Sequence, residues 1–159
     1  MHRRFMNRRL LLASGLGTTL VTTGLMGCAS PKVSDYANEK PALDLPTYFN
    51  GVVDAWGIFT DRNGKVVKRF TVEMHCHWKD GKGVLDEDFV YSDGTQEKRV
   101  WQLTDMGNGQ YEGTAGDVVG TATGQVKGNA FNWQYTLALP VDGSVFHVQM
   151  DDWMYLMND

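Results

Sequence analysis

A chain of 159 residues suits one domain around a single modest core. Fifteen Lys and Arg against nineteen Asp and Glu give a net charge of −4. That acidic balance argues against nucleic acid and against electrostatic attachment to anionic lipid. Residues 1–27 read as an export signal outside the domain. "MHRRFMNRR" places Arg3, Arg4, Arg8 and Arg9 ahead of an uncharged run, "LLLASGLGTTLVTTGLMG", the order found in a secretory signal. Gly and Thr interrupt the run throughout, so it is a poor transmembrane span. Four of the fifteen basic residues lie here. The remaining eleven face all nineteen acidic ones, a net charge near −8 for the rest.

The signal ends in "LMGCAS", with Gly27 before Cys28 and Leu25 three residues before it. This resembles the lipobox of bacterial lipoproteins. The resemblance implies a diacylglycerol thioether on Cys28, cleavage before it, and acylation of the new amine. More than one acyl chain gives a stable anchor, at ~0.8 kcal/mol per buried methylene. Ala29, where an Asp would imply inner-membrane retention, implies the outer membrane with the domain facing the periplasm. "NRRLLLA" also resembles a twin-arginine motif without its usual Phe, so the export route stays open between the general and twin-arginine pathways. With Cys28 lipidated, Cys76 has no partner, and no intrachain disulfide is expected.

Residues 28–47 read as a lipidated tether: polar, carrying Pro31, Pro41 and Pro46, with no stable helix. Residues 48–159 form the domain. Eight β-type runs follow one another: Val52–Phe59, Val66–Trp78, Val84–Tyr91, Gln96–Thr104, Tyr111–Ala115, Thr121–Lys127, Ala130–Leu139 and Ser144–Leu156. Turns such as "DRNGK", "KDGKG", "SDGT", "GNGQ" and "PVDGS" separate them. Many strands with hairpin-length links predict an all-β fold, an antiparallel up-and-down meander closing into a lipocalin-like (calycin-like) barrel.

Alternation assigns the faces. In "FTVEMHCHW", Phe70, Val72, Met74, Cys76 and Trp78 face in, and Thr71, Glu73, His75 and His77 face out. Cys76 therefore points away from both histidines. His75 and His77 could pair with Glu73 on the outer face, but that face offers no clear fourth ligand, so no metal site is expected. In the seventh run Phe131, Trp133, Tyr135, Leu137 and Leu139 share a face. In the last run Phe146, Val148, Met150, Met154 and Leu156 share one with Asp152. A three-residue "SDG" turn sets Glu87 opposite Arg99 and Leu85 opposite Trp101, all inside; a two-residue turn would set Asp88 there instead. The same geometry in "DRNGK" sets Trp56 opposite Phe70 and Asp54 opposite Val72, so that Trp56, Trp78, Trp101 and Trp133 all point inward.

The candidate ligand-binding residues are Trp56, Glu87, Arg99, Trp101, Trp133 and Asp152: apolar walls with a few polar groups. No nucleophile elbow or phosphate loop is present, and the glycines of "DVVGTATGQ" sit among strand residues. No cofactor is expected. Catalysis, if any, would fall to Glu87, Arg99 and Asp152.

"LDLPTYFNG", "AWGIFTDRNGKVVKRFTVE", "LDEDFVYSDG", "RVWQL", "YEGTAGDVVGTATG" and "DDWMYLMND" together resemble a family of bacterial lipoproteins, domain of unknown function 3833, from about Tyr36 onward. The resemblance implies an envelope address and no mechanism. Relatives of this kind continue past "DDWMYLMND" into a glycine turn and another apolar β segment, so the barrel is expected to lack a final strand. The expected role is a lipid-anchored protein that binds an apolar or amphipathic, lipid-like molecule. The alternatives are an isomerase or hydrolase working inside the barrel on a lipid-like substrate, and a structural lipoprotein of the envelope. The partners expected are the membrane, through the N-terminal lipid, and a small lipid-like molecule, with no nucleic acid.

Overall fold

The computed structural model describes residues 30–158. The export signal, Cys28 and Asp159 lie outside the described residues. From Pro31 onward the chain forms one compact unit.

Eight strands form a single antiparallel sheet in chain order. They are β1 Gly51–Thr60, β2 Val66–Lys79, β3 Lys82–Tyr91, β4 Gln96–Gly107, β5 Gln110–Thr114, β6 Val118–Lys127, β7 Ala130–Val141 and β8 Ser144–Tyr155. All eight expected runs are strands, and only their ends differ. Three links show why the meander folds so tightly. Asp80–Gly81, Asn108–Gly109 and Asp142–Gly143 all take positive φ, between 49° and 80°. Two consecutive left-handed residues make the hairpin turn whose twist matches the flanking strands.

The sheet curls into a half-barrel and stays open. β1 and β8 are its edges, each paired on one side only. Closure needs tilt and stagger accumulated over every strand pair, and here the curl stops short of bringing β1 against β8.

The inner face carries the core: Val72, Met74 and Cys76 of β2, Leu85 of β3, Trp101 and Leu103 of β4, Tyr111 of β5, Ala122 of β6, and Phe131 and Trp133 of β7. Thr71, Glu73, His75 and His77 are exposed on the other face, as the alternation requires. The two glycines of "DVVGTATGQ" have different reasons: Gly120 takes φ 72° with open space around it, and Gly124 is in close approach. A Cβ at Gly124 would lie 2.6 Å from the Asn132 carbonyl oxygen and 2.5 Å from the Trp133 ring. The glycine lets β6 lie under a large indole.

The segment expected to be a tether folds in part. Val33–Tyr36 makes a 3-10 turn and Leu45–Tyr48 a single helical turn, α1. Asp44 caps α1 by accepting from the Thr47 N–H at 3.1 Å, and Pro46 fits its first turn. Leu45 and Phe49 are buried with the core. The Leu43 N–H donates to the Gly128 carbonyl in the β6–β7 link at 2.8 Å. Its polarity and prolines predict a tether with no stable helix. Two apolar side chains and one cap are enough to dock it.

Candidate functional site

The hairpin β3–β4 sets the frame. The Tyr91 N–H donates to the Thr95 carbonyl at 2.9 Å, and Gly94 takes φ 84°, which is the three-residue turn. Glu87 therefore faces Arg99, and Leu85 faces Trp101. Asp86 and Asp88 point out and hold Lys98 at 2.7 and 3.1 Å.

Arg99 is inside, but its principal partner is Asp117, in the link between β5 and β6. Arg99 Nε donates to both Asp117 oxygens at 3.0 Å, and Nη2 donates to Oδ2 at 2.6 Å. A planar guanidinium fork matches a carboxylate in this two-point way. Glu87 Oε2 stands 3.9 Å from Nη1, beyond a hydrogen bond. Cross-strand register identified Glu87. It could not identify Asp117, which arrives from a short link two strands away.

Asp152 of β8 pairs in register with Trp133 of β7. The Tyr135 hydroxyl and the Asp152 carboxylate are close enough to shift one another's ionisation. The Trp101 ring centre lies 5.5 Å from that of Trp133 and 5.3 Å from that of Tyr135, both edge-on. So Glu87, Arg99, Trp101, Trp133 and Asp152 share the inner face, joined by Asp117 and Tyr135.

Trp56 does not join them. The "DRNGK" loop closes as expected: the Asp61 N–H donates to the Lys65 carbonyl, Gly64 takes φ 80°, and Thr60 pairs with Val66. Val67 is then an extra residue. Phe59 pairs with Lys68, and Trp56 with Thr71 instead of Phe70. A slip of one residue turns every later side chain over. Trp56 is 75% exposed on the outer face, and Asp54 faces Glu73 rather than Val72. Trp56 borders an open groove of about 580 Å³ with Ile58, Thr71 and Val90. Among its lining residues Arg69 and Tyr91 are the ionisable ones, and the buried Glu87 lies elsewhere.

The two ends of the half-barrel differ. At the end bearing the β2–β3, β4–β5 and β6–β7 turns, α1 and the large aromatic side chains fill the core. At the other end aromatic side chains remain in view. Phe59, Phe70, Phe89 and Tyr91 form a chain of rings with neighbouring centres 5.3 to 6.1 Å apart. Across the opening Leu139 pairs with Phe146, and both are exposed. The polar cluster lies beneath this rim.

Burial governs its electrostatics. Glu87 is 9% exposed. Desolvation pushes its carboxyl up to about 7; Arg99 opposes that, and Asp117 and Asp152 add to it. Burial also raises Asp152, against the pull of Tyr135 and Arg99. Burial works against the charge on Arg99, but the hydrogen bonds it donates to Asp117 outweigh that and hold the guanidinium protonated. The Cys76 thiol, buried behind Glu87, is pushed up to about 11 by burial and then by that carboxylate.

"EMHCHW" divides between the two faces. His75 Nε2 lies 3.0 Å from Glu73 Oε1 outside, and Cys76 is buried inside. Among the described residues no three His, Cys, Asp or Glu side chains are placed to hold an ion.

The family described as "Protein of unknown function (DUF3833)" matches residues 22–159. No curated protein and no solved structure matches the chain.

Proposed function

The chain belongs to the DUF3833 family, and we propose that it is a periplasm-facing lipoprotein of the outer membrane whose half-barrel binds an apolar or amphipathic molecule on its inner face. One observation carries the binding reading. Exposed Phe59 and Phe146 and half-buried Phe70, Phe89 and Tyr91 rim the open end, and a buried carboxylate without a hydrogen-bonded partner, Glu87, lies beneath them. Apolar walls take up a chain, and a few convergent polar groups hold a head. The lipid anchor rests on the order of charge block, uncharged run, Gly27 and Cys28 in the sequence.

A second reading has its own observation. A carboxyl near 7 is suited to general acid–base work, so an isomerase or hydrolase centred on Glu87 is the alternative. Native mass spectrometry of the protein taken from membranes in mild detergent tests the first reading. We expect the acylated mass plus one lipid-sized adduct. Cys28→Ala should lose the acyl mass, leave the detergent phase and keep the ability to take up an adduct. A bare wild-type chain without acyl mass or adduct contradicts both halves.

A further inference from the structure

The inner face carries two cations along β2 to β8 among the described residues, and each is already occupied. Lys68 bonds Asp93 at 3.0 Å and sits 3.9 Å over the Tyr91 ring. Arg99 is held at two points by Asp117. The carboxylates are in surplus. Glu87 is nine-tenths buried, and its nearest cationic atom is 3.9 Å away. Asp152 has the neighbouring Tyr135 hydroxyl and the charge of Arg99, which Asp117 already engages. At the rim, Glu97 accepts from the Tyr91 hydroxyl at 2.7 Å. A carboxylate buried without hydrogen bonds requires either a proton or a cation. An anionic head would meet Glu87 and Asp152 while the only nearby guanidinium is engaged. An ammonium head would meet two carboxylates among aromatic rings that accept cations, as the Phe89 ring does for the Arg99 guanidinium at 5.4 Å.

Building on the binding reading above, we propose that the molecule held on the inner face is an amphipathic amine, its alkyl chain on the aromatic rim and its ammonium group between Glu87 and Asp152. Ionisation of Glu87 then governs affinity. The groups that face it are Cys76 from β2, Arg99 from β4, Asp117 from the β5–β6 link, Tyr135 from β7 and Asp152 from β8. Of these, the two carboxylates favour the proton on Glu87, and Arg99 opposes it. An incoming ammonium group adds to Arg99 and releases that proton.

The test compares three probes of equal chain length by calorimetry at pH 8: dodecylammonium, dodecanoate and dodecyl maltoside. Dodecylammonium should bind at least tenfold more tightly than dodecanoate, and its affinity should fall severalfold between pH 8 and pH 6. Glu87→Gln should shrink the preference below threefold, and Asp152→Asn should weaken it. If dodecanoate binds as tightly as dodecylammonium, or if the preference survives Glu87→Gln in a folded protein, the ammonium assignment is wrong and the binding site stands. If none of the three probes binds, the inner face is not a ligand site and the inference falls with it.

Discussion

Glu87 is where sequence, burial and electrostatics meet. Its position on the inner face follows from alternation in "LDEDF" and the three-residue turn, and both were legible in the sequence. Its altered ionisation was not, because it depends on how many atoms from distant strands exclude water around it. The consequence for stability has a definite sign. The folded-state carboxyl lies near 7, against an ordinary value of 4.5, so the folded protein binds the proton more tightly than the unfolded chain. The resulting stabilisation is full below about 4.5 and is lost as pH rises toward 7, an effect of up to ~3 kcal/mol. Urea unfolding at pH 5 and pH 8 should show this fall in the wild type. Glu87→Gln should remove much of it and be the more stable protein at pH 8. Equal slopes in the two proteins would place Glu87 in water. Arg99 illustrates what a one-dimensional pattern misses. Its cross-strand neighbour was readable, but its actual partner, Asp117, sits in a link whose reach is decided by the length of β5.

At the scale of the element, the strands were legible because side-chain alternation and Asp-Gly or Asn-Gly turns reinforce each other. β1 marks the limit. The turn at Gly64 was read correctly, yet one bulged residue, Val67, reversed the facing of the strand. Nothing in "KVVKRF" distinguishes a bulge from regular alternation, since Val66 and Val67 are equally suited to either face. Trp56 was lost from the site for that reason alone. Trp56→Ser should therefore change stability by less than ~0.5 kcal/mol, as an exposed side chain does; a loss of several kcal/mol on thermal or urea unfolding would return it to the core. β6 gives the opposite expectation. Gly124 lies against the Asn132 backbone and under Trp133, so Gly124→Ala should cost ~1–3 kcal/mol through overpacking, measured as a shift in urea midpoint without a change in slope. A neutral substitution would show that β6 and β7 are not packed so closely.

At the largest scale, the unit from Pro31 onward is a trough with one filled end and one aromatic-rimmed open end. α1 and the segment before it complete the filled end. The sequence disclosed the sheet order and the buried Glu87–Arg99 register. The docking of residues 31–50 was hidden by their polarity, and the asymmetry of the ends emerges only when inner-face residues of all eight strands are assembled. The central claim is that ligand is held on the inner face and not in the outer groove beside Trp56. The five tryptophans each give an indole N–H signal, and following those signals by NMR during titration with dodecyl maltoside tests the claim most directly. The account predicts that the signals of Trp101 and Trp133 move together and saturate at one equivalent, with Trp56 unmoved. Movement confined to Trp56, or no saturable movement at Trp101 and Trp133, would contradict it.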